Sequence, residues 1–482
     1  MPQLDDVIPV PAEVRPDRAA DFTINPGTRI RAGSGAEQVA EYLATVLQPL
    51  VPVSVTSSPG DGGIALELTD EISGDEAYDI DIATRGVVLR AAAPAGLFAA
   101  VQTLRQLLPI SAGDPVTLPG GRIADRPRFP YRGVMLDVAR HFFTVDEVKS
   151  YIDAIVAFKI NYLHLHLTDD QGWRLEIPGW SRLTEVSGAA GTGVDGAGPG
   201  FYTRDHFAEL VDYAASRFVT IVPEIDMPGH VNAAQVAYPS LTADGAPVPQ
   251  RTDREVGYSS LVAGAESTYA FVEDVIREVA ELTPGPFLHI GGDEAQATSA
   301  EDYRIFMTRV LPLVGKYGKR AIGWHEMASV DLPDTAVPQF WRVEEADEGT
   351  ARAVSAGCQV IISPADRSYL DMKYDPSTSL GLDWAGFVEV DRAYNWDPAD
   401  RLPGVPEQAI LGVEAPLWSE SLRSMADVQT MTFPRLPAIA EIGWSRRANR
   451  DWESFRRRLA AYAPRWTAAG VAFHPSPQID WP

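Results

Sequence analysis

Eight short apolar segments, most of them separated by amphipathic ones, run through residues 131–418 and constrain the fold more than any other feature. They are YRGVMLDVAR (131–140), INYLHLHLTD (160–169), VTIVPEIDMP (219–228), PFLHIGGDE (286–294), RAIGWHE (320–326), AVPQFW (336–341), CQVIISP (358–364) and AILGVEAPLW (409–418). Between them, VDEVKSYIDAIVAFK (145–159), RDHFAELVDYAASRF (204–218) and STYAFVEDVIREVAEL (267–282) carry apolar residues at helical spacing. Strand alternating with helix predicts an α/β chain. Eight such strands predict a (β/α)8 TIM barrel, with a doubly wound sheet as the alternative arrangement.

With 482 residues, the chain is long enough for a barrel and a further domain. Residues 1–125 read as a small α+β unit. GIALEL (63–68), YDIDIA (78–83) and GVVLRA (86–91) are its strands, and segments 37–51 and 94–108 are its helices. The Gly-, Pro- and Asp-rich stretch 111–130 marks the boundary. The expected division is an α+β domain over 1–125 and a barrel domain over 126–482.

Charge narrows the partners. Against 41 Lys and Arg stand 66 Asp and Glu, a net charge of −25. Such a chain repels phosphate backbones and anionic lipid, which argues against nucleic acid and membrane partners and favours a neutral substrate. The acidity also serves solubility. With Cys358 as the single cysteine, no intramolecular disulfide can form. The opening MPQLDDVIPV has neither the basic nor the apolar region of a signal peptide. The expectation is a cytoplasmic protein, or a secreted one whose signal peptide is absent from this chain. No segment stands out as a dimer helix, so the oligomeric state is left open.

In a barrel of this kind the chemistry sits at the C-terminal ends of the strands. Those ends carry Asp137, Arg140 and His141; Asp169, Asp170 and Trp173; Glu224, Asp226 and His230; Asp293 and Glu294; Trp324, His325 and Glu326; Trp341; Tyr369 and Asp371; and Glu414, Trp418 and Glu420. Three classes of site fit. A glycosidase needs carboxylates, polar groups for hydroxyls and aromatic faces for sugar C–H surfaces, and all three are present. A metal-dependent hydrolase of the amidohydrolase type would use His164 and His166, with His230 and His289 on later strands. The sequence places the first two inside their strand, where a histidine also serves as barrel filling. A non-catalytic sugar-binding barrel would use the same aromatics without the acids.

Five motifs resemble glycoside hydrolase family 20, the β-N-acetylhexosaminidases. They are DVARHFF (137–143), LHLTDDQGWRLEI (165–177), PEIDMPGH (223–230), HIGGDE (289–294) and EAPLWSE (414–420). They occur in the family's order, and the preceding α+β unit also matches. The resemblance implies exo-cleavage of terminal β-linked N-acetylglucosamine or N-acetylgalactosamine with net retention, on N-acetylhexosamine glycosides such as chitooligosaccharides, without metal or organic cofactor. It implies Glu294 as general acid and base, Asp293 as holder of the acetamido N–H and Tyr369 as partner of the acetamido carbonyl. Asp169 and His230 form a relay that orients Glu294. Trp324, Trp341 and Trp418 wall the acetamido pocket, with Trp384 near its rim. Arg140 and Glu420 hold ring hydroxyls, with Asp371 near them.

Adjacent carboxylates cannot flank a glycosidic bond as the usual pair does. Family 20 is an exception to the two-carboxylate rule because its substrate assists. The acetamide oxygen attacks C1 and closes an oxazolinium ring. The neighbouring charges of Asp293 and Asp169 favour the protonated form that a donor at Glu294 needs. The glycines ahead of the pair, Gly291 and Gly292, are read as leaving room for the sugar, with a packing role as the alternative.

Overall fold

The computed structural model describes residues 3–58, 62–111, 116–343 and 347–482. Residues 112–115, within the stretch read as a domain boundary, lie outside them. The chain forms two compact units. One comprises residues 1–130, 155–159 and 440–482, the other residues 131–154 and 160–439. The last helix, Trp452–Ala469, thus groups with the N-terminal unit, whereas the boundary read from the sequence assigns it to the barrel. Sequence proximity suggested one grouping and long-range contact produces another.

The larger unit is a closed parallel barrel. Its strands are β1 (Tyr131–Asp137), β2 (Tyr162–His166), β3 (Thr220–Glu224), β4 (Phe287–His289), β5 (Arg320–Trp324), β6 (Val337–Phe340), β7 (Val360–Ile362) and β8 (Ile410–Ala415). Each falls within one of the eight apolar segments. The runs are apolar because parallel strands with helices on their outer face are buried on both sides; β1 and β8 are buried along their whole length.

Two layers fill the barrel interior. Tyr131, Val222, Phe287, Ile322, Val337, Ile361 and Leu411, with Tyr162 packed against them, supply one residue from each strand. Tyr131 and Tyr162 stack with ring centroids 4.2 Å apart. Side chains on one face of a strand recur every second residue. The next positions on β2, β3 and β6 are therefore His164, Glu224 and Gln339. With Glu414 of β8 they form a buried polar layer: His164 bridges Glu224 and Glu414, and Gln339 donates to Glu414.

Helices follow most strands, among them Val145–Ile155, Arg204–Ala215, Glu266–Leu282 and Ala300–Lys316. The alternation breaks after β5. Among the described residues, only a 3-10 turn, His325–Ser329, lies between β5 and β6. That turn keeps His325 and Glu326 at the strand's polar end.

The other unit is α+β. Its seven-stranded sheet, among the described residues, runs in the order 13–16, 121–125, 78–83, 86–91, 63–68, 29–32 and 54–56. Helices Glu37–Leu47 and Pro94–Leu107 supply its apolar faces. A buried polar knot ties it to its own later segments: Asp125 accepts from Tyr78, from Lys159 at 3.0 Å and from the Trp444 indole at 2.9 Å. No helix among the described residues is long and apolar enough to cross a membrane.

Candidate active site

The turn after β4 presents the two acids. Gly291 and Gly292 take φ of +66° and +98°, and Glu294 itself is left-handed at 45°. For a non-glycine residue that conformation is costly and persists only where the surroundings enforce it. His230, at the end of the β3 loop, shares it at 54°. The glycines do not leave room for a sugar. A Cβ on Gly291 would lie 1.7 Å from Asp226 Oδ1, and one on Gly292 would lie 2.9 Å from both the Tyr303 hydroxyl and Met307 Cε. The space is already filled by the protein, and Asp226 Oδ1 accepts from the Gly292 amide at 3.1 Å. Of the two roles read for these glycines, packing holds and room for the sugar does not: they form a tight, filled turn that aims Asp293 and Glu294.

Asp293 is buried, with Oδ1 lacking a hydrogen-bond partner. Burial, then the negative charge of Asp226, raises its pKa well above the ordinary carboxylate value. Glu294 is more open, its side chain about one-third exposed (32%). His230 Nε2 stands 3.7 Å from a carboxylate oxygen of each, close enough for electrostatic contact but too long for a hydrogen bond.

Behind them, a chain of charge-assisted hydrogen bonds converges on Asp169. Its oxygens take His230 Nδ1 at 3.2 Å, His166 Nε2 at 2.8 Å and Arg140 Nη2 at 2.8 Å. Burial alone would raise its pKa, but Arg140 and His230 outweigh burial and hold Asp169 below the usual range as a carboxylate. Burial likewise opposes charge on His230, and Asp169 and Asp293 overcome it to raise its pKa. The neighbouring Asp170 has another task. It accepts from the Asn232 amide at 2.9 Å and the Ser259 hydroxyl at 2.6 Å, bracing the β3 loop.

Aromatic rings gather beside the acids. Trp324 is fully buried and donates its indole N–H to Glu224 at 3.0 Å. Trp418 lies 5.7 Å from it, centroid to centroid, and Arg140 packs over the Trp418 face at 5.0 Å. Trp341 stacks near Tyr369 at 6.5 Å and donates to Glu326 at 3.0 Å. Trp384 meets both rings edge-on, 5.8 Å from Trp341 and 5.9 Å from Tyr369, and is half exposed (52%). It therefore stands at a rim. Tyr374, by contrast, turns its hydroxyl to the backbone carbonyls of Thr430 and Phe433.

Asp371 is buried, and neither of its oxygens has a partner; Glu420 Oε2 is likewise unpartnered. Burial and then repulsion from Glu420 raise the Asp371 pKa well above normal. Buried polar groups normally find partners, so this pair is suited to receiving hydroxyls from a ligand. Arg140 is more committed than the sequence indicates. Besides Asp169 it donates to Gln171 at 3.0 Å and Asp137 at 3.3 Å.

Of the histidines read as a metal alternative, the leading pair, His164 and His166, is saturated. Donor atoms of His164, Glu224 and His289 do lie within 4.8 Å of one another. Yet both nitrogens of His164 face carboxylates at 3.0 Å, and both of His166 face carboxylates too, Glu224 at 2.5 Å and Asp169 at 2.8 Å. A ring that donates from both nitrogens is an imidazolium and has no lone pair for a metal. Both pKa values are raised, against burial, by these carboxylates, that of His164 to about 9. Strand-end residues that received no role in the sequence reading also matter here: Glu224, Asp226 and Glu326. Their position at strand ends was the available signal.

A parallel barrel with paired acids, a charged relay and an aromatic wall at its C-terminal face defines a glycosidase-type barrel. The family models agree in detail. Glycosyl hydrolase family 20, catalytic domain, matches residues 129–303 and 296–447, and domain 2 of the same family matches residues 5–126. A β-N-acetylhexosaminidase of Cellulomonas fimi is 40% identical over 483 residues, spanning 99% of this chain and 97% of that one. The solved family 20 β-N-acetylhexosaminidase of Streptomyces coelicolor A3(2) superposes with TM-score 0.96 at 47% identity, covering 100% and 99% of the two chains. A Streptomyces plicatus β-hexosaminidase mutant, solved with its product GlcNAc, gives TM-score 0.96 at 49% identity, covering 100% and 98%. The chain belongs to glycosyl hydrolase family 20.

Proposed function

We propose that this glycoside hydrolase is an exo-acting, retaining β-N-acetylhexosaminidase that removes terminal non-reducing β-linked GlcNAc or GalNAc, with the substrate's acetamide as nucleophile. The observation that carries the reading is the buried, unpartnered Asp293 oxygen beside an aromatic enclosure, one residue from a more exposed Glu294. An amide N–H supplies the partner that oxygen lacks. The relatives' names and the bound GlcNAc of the Streptomyces plicatus enzyme support the same substrate class. Chitooligosaccharides are the substrates we favour, because an N,N'-diacetylchitobiase of Vibrio harveyi is among the relatives.

In the first step Glu294 gives its proton to the glycosidic oxygen as the C1–O bond breaks. The acetamide oxygen bonds to C1 from the opposite face, closing the oxazolinium ring. Proximity replaces an enzyme nucleophile and supplies several kcal/mol, on the order of 7–11 at best. Asp293 accepts from the acetamide N–H as positive charge develops there, and Tyr369 donates to the acetamide oxygen. Trp324, Trp341 and Trp418 enclose the acetyl group, and Trp384 borders the leaving sugar. Arg140, Asp371 and Glu420 hold ring hydroxyls. In the second step Glu294 takes a proton from water, which opens the oxazolinium at C1 with overall retention. Asp169 and His230 keep Glu294 aligned through both steps. This chemistry uses no metal or organic cofactor.

A panel of nitrophenyl glycosides tests the reading. Nitrophenol is expected from the N-acetylglucosaminide and N-acetylgalactosaminide and not from the plain glucoside. Equal rates on acetylated and plain sugars would remove the acetamide from the mechanism. A chelator is expected to leave the rate unchanged. Loss of activity that zinc restores would return the metal reading.

A further inference from the structure

The proton donor and the aromatic pocket rest on one buried group. Glu224, the last residue of β3, is fully buried. Its Oε2 accepts from His164 at 3.0 Å and from His166 Nδ1 at 2.5 Å. Its Oε1 accepts from the Trp324 indole at 3.0 Å, with His289 Nδ1 2.9 Å away. The donors stand on β2 and β5, so the carboxylate ties both of those strands to its own, β3.

Two lines leave it toward the reaction. One runs from His166 Nε2 to Asp169 and from Asp169 to His230, whose other nitrogen faces Asp293 and Glu294. The other is the Trp324 ring, which packs on Trp418. A third line leads away from the site, through His164 to Glu414 and on to Tyr131 and Gln339. Asp226 also presses on this cluster, and Asp137 acts on His166.

We propose that Glu224 is a positioning residue for hydrolysis: its carboxylate fixes both the Trp324 wall of the acetamide pocket and the His166–Asp169–His230 chain behind Glu294, so that pocket shape and proton delivery are set together. The inference rests on Glu294 as donor and Trp324 as wall.

The chemistry requires a carboxylate there. His166 stands between Glu224 and Asp169, and His164 between Glu224 and Glu414; each ring must donate twice. Glutamine at position 224 would offer one accepting oxygen and an NH2 that faces another donor. Either a histidine or the indole would then lose its acceptor, which is costly in a buried site. Aspartate, one methylene shorter, cannot reach both.

The test separates the two lines by leaving group. Chitobiose needs the acid; a dinitrophenyl N-acetylglucosaminide scarcely does, but both need the pocket. His166→Gln cuts the proton line and leaves Glu224 bonded to His164 and the Trp324 indole, while removing a ring that also packs edge-on to Trp418 at 4.9 Å. It is expected to lower kcat on chitobiose by about 10²-fold, to move the alkaline limb of its pH profile, and to raise KM for the dinitrophenyl substrate less than Trp324→Phe does. Trp324→Phe removes the indole donor and is expected to raise KM for both substrates. Glu224→Gln should show both losses while its near-ultraviolet circular dichroism stays native. A folded Glu224→Gln with wild-type kcat, KM and pH profile overturns the proposal. Should that variant not fold, His166→Gln decides, and full kcat on chitobiose with an unmoved profile overturns it. Glu294→Gln run alongside keeps the two ideas apart. An active Glu294→Gln defeats the donor assignment, whereas an inactive one beside fully active Glu224→Gln and His166→Gln defeats only the positioning role.

Discussion

Glu294 and His230 share a left-handed backbone, and their side chains approach each other at 3.7 Å. Strain of about 1–3 kcal/mol per residue is typical of such sites, and here it turns both groups toward one point. Glu294→Gln keeps the size and removes the proton, so kcat on chitobiose is expected to fall by about 10²–10⁴-fold, with a smaller loss on the dinitrophenyl glycoside. An equal loss on both would mean the residue is not the proton donor. Asp293→Asn keeps an accepting oxygen but not the charge. A loss of about 10²-fold in kcat is expected, and wild-type kcat would rule out charge stabilisation at the acetamide N–H. These residues were legible because an Asp-Glu pair after an apolar run and two glycines is a distinctive local string. Asp169 and Asp170 were not separable by type; only the partners of each, His166, His230 and Arg140 against Ser259 and Asn232, divide their tasks.

The turn carrying the acids is an element with little tolerance. Gly291→Ala places a methyl on the Asp226 carboxylate and forces alanine to a φ of +66°. The backbone term alone costs roughly 1–2 kcal/mol, and overpacking adds about 1–3. Urea unfolding should register the sum, together with lost activity. Gly315→Ala is the control, since its Cβ meets nothing within 4 Å inside helix Ala300–Lys316, and there alanine should be neutral or stabilising. A Gly291→Ala protein as stable as wild type would contradict the packing described for this turn. The strands themselves could be read from the chain because each is a single apolar run. The missing helix after β5 could not, because a short segment between two apolar runs does not say whether it forms a 3-10 turn or a helix.

The whole molecule stores protons in its interior. Burial, with His230 opposing and Glu224 adding, raises Asp226 from 3.8 to about 7. Burial and then Asp293 raise Glu326 from 4.5 to about 8, and Glu224 and Glu414 raise His164 from 6.5 to about 9 against burial. In each case the folded chain keeps a proton that the unfolded chain releases at lower pH. Stability must then decline as pH rises through that window. The His164 contribution is complete below pH 6.5 and lost as pH passes 9. Asp169, Glu224 and Glu414, held low, act oppositely and only in acid, where stability is lost as pH falls. Tm is therefore expected to fall steadily between about pH 6.5 and 9. A Tm that is flat or rising over that range would mean these groups do not hold their protons in the fold.

By itself the sequence determined the period of the elements, the order of the motifs and the family they belong to, because strand formation, helix periodicity and turn chemistry depend on neighbours a few residues apart. It could also place acids and tryptophans at strand ends, since that position follows from where each apolar run stops. Only the tertiary structure decided what the buried polar residues do. His164 meets Glu414 across 250 positions and Glu224 across 60, and Trp324 meets Glu224 across 100. Barrel closure brings them together. In that low-dielectric interior the fixed distances convert histidines that could pass for metal ligands or barrel filling into charged struts behind the acid.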